Sequence, residues 1–237
     1  MFSDEQVIAI GVTGSYANNS YKNISDVDIV CVTTNMSLSE EIIIRDKYYV
    51  INIINQDYLS NLFNQTSLHV SEIVGFSYMV TIYEKEKGFL DKFINNAKDI
   101  VKNLEYERTS AQDEFISWLE EVQKAITGYK SNNVNKMLQG IHGLTFGMFN
   151  TLKYYFNIIL IFDNEYFDKI ISYNNFTKNL LNTSLLAFGL IEVSGIKERI
   201  ENGFILFKAV STLIYKRLSK TEQKYLDLLI SEIEKIL

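Results

Sequence analysis

Proline is missing from all 237 residues, cysteine and tryptophan occur once each, and histidine twice. The lone Cys31 excludes an internal disulfide, and with His69 and His142 it leaves too few ligands for a closed zinc site. Without proline the commonest helix stop is gone, so helix ends have to be sought in Gly, Ser and Asn clusters. Positive charge is in short supply. The chain has 23 Lys and Arg against 29 Asp and Glu, a net charge of −6 and a pI near 5.1, which argues against a broad nucleic-acid-binding surface. Long hydrophobic runs are lacking as well. The uncharged stretch from Tyr154 to Phe162 is too short to span a bilayer, and the start Met1-Phe2-Ser3-Asp4-Glu5 has no basic residue leading into a long apolar run. No membrane partner is expected, and the cytoplasm is the expected compartment. Absent too are a Gly-x-x-x-x-Gly-Lys-Ser/Thr loop, a Gly-x-Gly-x-x-Gly fingerprint and a Gly-x-Ser-x-Gly elbow, which leaves P-loop, dinucleotide and serine-hydrolase chemistry without an anchor.

What is present is concentrated between residues 7 and 33. Val7 to Val12 is an apolar run suited to a buried strand, and it ends at Thr13-Gly14-Ser15. Gly14 allows a sharp turn and close approach of a ligand to the backbone. Ser15 is placed to cap a short helix over 16–22, whose free N–H groups would receive phosphate oxygens. Asp26 and Asp28 follow in the run Asp-Val-Asp-Ile-Val-Cys-Val, which reads as a strand. Alternation there puts both carboxylates on one face and sends Val27 and Ile29 into the core. Two adjacent negative charges repel unless a cation lies between them, and a hard divalent ion such as Mg2+ suits them. Cys31, in the same run, reads as a core residue.

A Gly-Ser after a hydrophobic strand, a spacer of about ten residues and an Asp-x-Asp resemble the signature of the DNA polymerase β-like nucleotidyltransferase superfamily. The segment is most similar to the antibiotic nucleotidyltransferases, of aminoglycoside and lincosamide type, and their uncharacterised relatives. Tyr83 to Leu90, with Gly88 before a helix, resembles the same family more weakly. The resemblance implies Asp26 and Asp28 as catalytic metal ligands, Gly14 and Ser15 as nucleotide-binding residues, and Mg2+ as cofactor. It implies transfer of a nucleoside monophosphate, AMP from ATP, to a hydroxyl of a small molecule, with loss of pyrophosphate. The acidic surface would suit a cationic acceptor such as an aminoglycoside. A homodimer is compatible with this reading.

Such enzymes usually carry a third carboxylate on a later strand. Here that strand is Tyr48 to Ile54, and Asn52 falls at the third position. An amide is a poorer Mg2+ ligand and no general base. Three readings stay open: Asp46 or Asp57 supplies the acid, a glutamate of the helical region (Glu114, Glu120 or Glu121) supplies the base, or the protein binds a nucleotide without turning it over. The alternative function is a nucleotide-binding or toxin–antitoxin-type protein of the same fold acting on a protein or tRNA, or a lapsed homologue. Lys136 and His142 resemble, with lysine for arginine, a motif of helical nuclease partners. A histidine on this apolar helix reads more simply as packed.

The expected fold is α+β: an N-terminal nucleotidyltransferase mixed sheet with flanking helices over 1–105, then a C-terminal helical bundle over 106–237. Strands are predicted near 6–13, 26–34, 46–55 and 76–84, with short helices near 16–22, 38–42 and 57–65, the last capped by Asp57. From Phe89 apolar residues recur at three- and four-residue steps. Helices are predicted from Phe89 to about 104, then over 111–129, 133–162, 164–174, 177–190, 192–217 and 219–236. Ser219-Lys220-Thr221-Glu222 reads as a capping box for the last.

Overall fold

The structure, a computed structural model, describes residues 6–35, 38–161, 165–173 and 177–237. Two compact units divide the chain: Met1–Tyr106 with Ile159–Asp163, and Glu107–Ile158 with Asn164–Leu237.

The first unit is built on a five-stranded mixed sheet. Its strands are β1 (Val7–Val12), β2 (Val27–Thr33), β3 (Leu38–Ile44), β4 (Lys47–Asn55) and β5 (Val80–Glu84), in the order β3-β4-β2-β1-β5. Only β2 and β4 run parallel; the other neighbours are antiparallel. Four helices accompany the sheet: α1 (Gly14–Ala17), α2 (Gln56–Asn64), α3 (Val70–Tyr78) and α4 (Phe89–Val101). Leu59, Leu62, Ile73, Val74, Phe76, Leu90, Ile94 and Ala97 from these helices form one core with Ala9 and Val32 of the sheet. Each large apolar side chain so buried contributes about 1.5–3 kcal/mol. A Cβ on Gly11 would come within 2.6 Å of Met79 Cγ, so the bare backbone of β1 at that point lets the α3–β5 connection pack against it.

Within this unit β3 and the α3–β5 segment differ from the sequence reading. Residues 38–42, expected as a helix, lie in β3. Arg45 and Asp46, with φ of 49° and 63°, turn the chain back in a two-residue hairpin, and pairing with β4 overrides the local helical spacing. The strand expected from residue 76 begins at Val80, because Val70, Ile73, Val74 and Ser77 form the buried side of α3. The carboxylate of Glu84 at the end of β5 then accepts the N–H groups of Gly88 and Leu90 and so fixes the start of α4.

The second unit is helical: α5 (Ser110–Ser117), α6 (Leu119–Lys130), α7 (Val134–Tyr155), α8 (Tyr166–Ile171), α9 (Lys178–Phe188), α10 (Ile196–Ile214) and α11 (Lys220–Glu234). Phe115 stacks on Phe207 at 5.6 Å between ring centres, and Phe149, Phe204, Leu144 and Met148 are buried with them. The single helix expected over 111–129 is broken at Trp118 into α5 and α6. The helix expected to reach 162 stops at Tyr155, followed by Asn157 at a φ of 51°. Ile159 and Ile161 pack instead against the core of the first unit. The expected helix ends at 162, 164 and 174 lie outside the described residues. The capping box is formed: Glu222 N–H donates to Ser219 Oγ at 3.3 Å, and Ser219 N–H to Glu222 Oε2 at 2.6 Å. No helix among the described residues is long and apolar enough to cross a membrane.

Candidate active site

The apolar run of β1 ends where the chain turns at Gly14, whose φ of +63° is unfavourable for a residue with a side chain. Thr13 N–H donates to the Asp28 carbonyl at 2.9 Å, which ties the last step of β1 to the second aspartate. The carboxylate of Asp28 fills the space beside Gly14. A Cβ there would come within 3.1 Å of Asp28 Cγ and collide with Oδ2. Ser15, next in the chain, carries a buried hydroxyl oxygen with no hydrogen-bond partner. A buried hydroxyl without a partner costs free energy that a phosphate oxygen would recover.

The short helix corrects one expectation. It covers Gly14–Ala17 and not 16–22, and Ser15 lies inside it; Thr13 precedes it with no side-chain cap bond. Asn18 closes the turn, and Asn19 follows at a φ of 61°. Ser15 is therefore not the cap of this helix, and its hydroxyl lies within the first turn.

Asp26 is exposed and immediately precedes β2, while Asp28 is half-buried on the strand itself. The side of β2 that meets the core differs from the one expected. Val32 belongs to the core cluster and Val30 packs against it, both in phase with Asp28, whereas Val27 and Ile29 are half-buried on the opposite side of the pleat. Asp28 thus stands at the end of the core-facing side of β2. Cys31 is buried as expected, and burial pushes its thiol pKa up, so it stays protonated.

Parallel pairing matches Asp28 with Val50 and Val30 with Asn52. Asn52 therefore lies on the Asp28 face, one diagonal step along the neighbouring strand, and it is exposed. Asp57 is in the first turn of α2, beyond the far end of β4, and the cap of that helix is Asn55, whose Oδ1 accepts Tyr58 N–H at 2.7 Å. Asp46 sits in the β3–β4 hairpin. Among the described residues no three His, Cys, Asp or Glu side chains gather as a metal cluster, so neither Asp46 nor Asp57 completes a trio with Asp26 and Asp28. The donor set is two carboxylates, Asp26 and Asp28, with the Asn52 amide on the strand next to Asp28. It fits a hard cation that takes its remaining ligands from water and phosphate.

The glutamates of the helical unit have local partners. Glu114 accepts the Trp118 indole N–H at 2.7 Å, and Lys124 Nζ lies 3.0 Å from Glu120 and 2.7 Å from Glu121. Burial, then the Glu114 charge, raises the pKa of the Tyr154 and Tyr166 phenols above their ordinary range. His142 is exposed on α7, as is Lys136, which corrects its reading as a packed residue.

Sequence reasoning missed Lys47, the first residue of β4. Its ammonium donates to the Tyr16 hydroxyl on α1 at 2.9 Å and to the Asn23 carbonyl, between that helix and the aspartates, at 2.7 Å. A lysine opening a strand carries no motif, and only the fold brings it there.

No curated protein matches the chain. It is similar to a solved nucleotidyltransferase-like protein from Exiguobacterium sibiricum 255-15, at 12% identity over 89% of this chain and 70% of that one, with a TM-score of 0.43. The family model for the nucleotidyltransferase domain matches residues 2–125, more than half of the chain. With that match spanning the bend, both aspartates and the whole sheet, the chain belongs to the nucleotidyltransferase domain family.

Proposed function

We propose that this protein transfers a nucleoside monophosphate, AMP from ATP, to a hydroxyl of a small molecule and releases pyrophosphate. The observation that carries the proposal is the juxtaposition of Gly14, the partnerless Ser15 hydroxyl and the Asp28 carboxylate at one sheet end. Asp26 and Asp28 would hold Mg2+, which would supply neutralisation of the triphosphate and of the charge developing on the leaving oxygen. The backbone at the Gly14 bend and Ser15 would hold the β and γ phosphates, with Ser15 Oγ donating a hydrogen bond to one of their oxygens. The acceptor oxygen bonds to the α-phosphorus, the bond from that phosphorus to the bridging oxygen breaks, pyrophosphate departs, and the hydroxyl proton is lost to solvent. Orientation of donor and acceptor is the chief contribution such a site makes. By its resemblance to the antibiotic-modifying branch and its charge of −6, the protein suits a cationic amino sugar as acceptor.

The test is incubation with Mg2+, labelled nucleoside triphosphates and a panel of aminoglycosides and lincosamides. Pyrophosphate release and a labelled acceptor, both lost in Asp28→Asn, are expected. Release with none of them would contradict the small-molecule reading. It would favour a nucleotide-binding protein of this fold that acts on a protein or tRNA, a reading consistent with Asn52 at the third position.

A further inference from the structure

The Gly14–Ser15 bend and the aspartates are joined by residues 18–25, a connection with no regular structure. Its internal bonds are local. Ser20 N–H donates to the Ser15 carbonyl at 3.0 Å and to Asn18 Oδ1 at 2.9 Å, while Lys22 and Ser25 close a turn through Lys22 N–H to Ser25 Oγ and Ser25 N–H to the Lys22 carbonyl, each at 2.9 Å. None of these ties the connection to the sheet. Lys47 does, from the strand that pairs in parallel with β2. Its ammonium reaches Tyr16, one residue beyond Ser15, and Asn23, three residues before Asp26. Tyr16 is itself stacked on Tyr21, with ring centres 4.4 Å apart and planes 7° from parallel, so the grip on Tyr16 extends to the middle of the connection. The Lys47 ammonium is also 5.6 Å from the Tyr16 ring centre.

We infer that Lys47 is a positioning residue: it ties Tyr16 of α1 and Asn23 of the connection to β4 and thereby sets the distance between the phosphate-holding bend and the metal-holding aspartates. This rests on the nucleotidyltransferase reading of that site. Ammonium bonds to a carbonyl and a phenol are charge-assisted and directional, whereas the connection has no buried apolar anchor of its own: Tyr21 and Ile24 are exposed. The effect of Lys47 is exerted through Tyr16 and Asn23. Losing it releases the bend while leaving the Asp28 strand in the sheet.

The inference is tested by binding, without turnover. Mg2+ with each of ATP, GTP, CTP and UTP is titrated by calorimetry into the full chain and into Lys47→Ala, Lys47→Arg, Tyr16→Phe and Asp28→Asn. Mn2+ binding without nucleotide is followed by electron paramagnetic resonance. Lys47→Ala is expected to weaken binding of the preferred nucleotide about tenfold or more, the loss of charge-assisted hydrogen bonds. Its Mn2+ affinity should stay within about threefold of the parent, because the aspartates remain on their strand. Lys47→Arg should recover most of the nucleotide affinity, and Tyr16→Phe, which keeps the Asn23 bond, should lose less than Lys47→Ala. Nucleotide affinity equal to the parent in both Lys47→Ala and Tyr16→Phe would overturn the positioning role and leave the site reading intact. Parent protein that binds no nucleotide, or binds it as well after Asp28→Asn, would overturn the site reading and this inference with it.

Discussion

The carboxylate of Asp28 occupies the volume that a side chain on Gly14 would need, so the bend and the acidic strand are built against each other. Gly14→Ala must therefore displace the carboxylate and also hold an alanine at a φ of +63°. A loss of about 1–3 kcal/mol in denaturant unfolding is expected from the backbone alone. Divalent-cation affinity should fall with it, read by Mn2+ titration; a variant with parental Mn2+ affinity would separate Gly14 from the site.

Ser15 gives the opposite pattern. Its buried hydroxyl has no partner, so Ser15→Ala should leave stability unchanged or raise it by up to about 1 kcal/mol. Nucleotide affinity should fall about tenfold, by loss of one charge-assisted hydrogen bond to phosphate. Calorimetric titration and thermal unfolding of the same sample check both halves.

Asn52 shares the Asp28 face on the adjacent strand. In Asn52→Asp a third negative charge would repel the first two without metal and bind metal with them. A lower melting temperature in chelator, restored by Mg2+, and Mn2+ affinity raised about tenfold are expected. A melting temperature equally low with and without Mg2+ would show that position 52 does not reach the cation.

Acid lability of the helical unit has a source in Glu232. Glu232 is ion-paired with Lys130 and Lys235, whose hydrogen bonds hold its carboxyl pKa at about 2, well below the ordinary 4.5. A depressed carboxylate pKa stabilises the fold above the unfolded value, and that stability is lost as pH falls from about 4.5 through about 2. Glu232→Gln should flatten the acid side of the stability profile in that window and leave the slope near neutral pH alone.

Much of this was legible in the residues because it is local. The apolar run Val7 to Val12, the Gly14 turn and the Asp-x-Asp strand follow from composition over a few positions, and the Ser219–Glu222 cap needs only four. What failed was set by distant pairing. β3 has helical spacing but is held as a strand by β4, and the Arg45–Asp46 turn lacks the glycine or asparagine that usually signals such a hairpin. Helix α3 was missed despite its signal, since Val70, Ile73, Val74 and Ser77 stand at helical steps. Which face of β2 meets the core could not be read, because Val27 and Ile29 are as apolar as Val30 and Val32 and only the helices choose between them. Lys47 was invisible for the same reason: its partners are 24 and 31 residues away.

Whether Asp26 and Asp28 share a divalent cation beside the Gly14–Ser15 bend is decided by anomalous diffraction from crystals grown with Mn2+ and a non-hydrolysable nucleoside triphosphate. A manganese peak is expected between the two carboxylates, with phosphate oxygens against Gly14 and Ser15 Oγ. A peak bound elsewhere, or a triphosphate seated away from that bend, would contradict it.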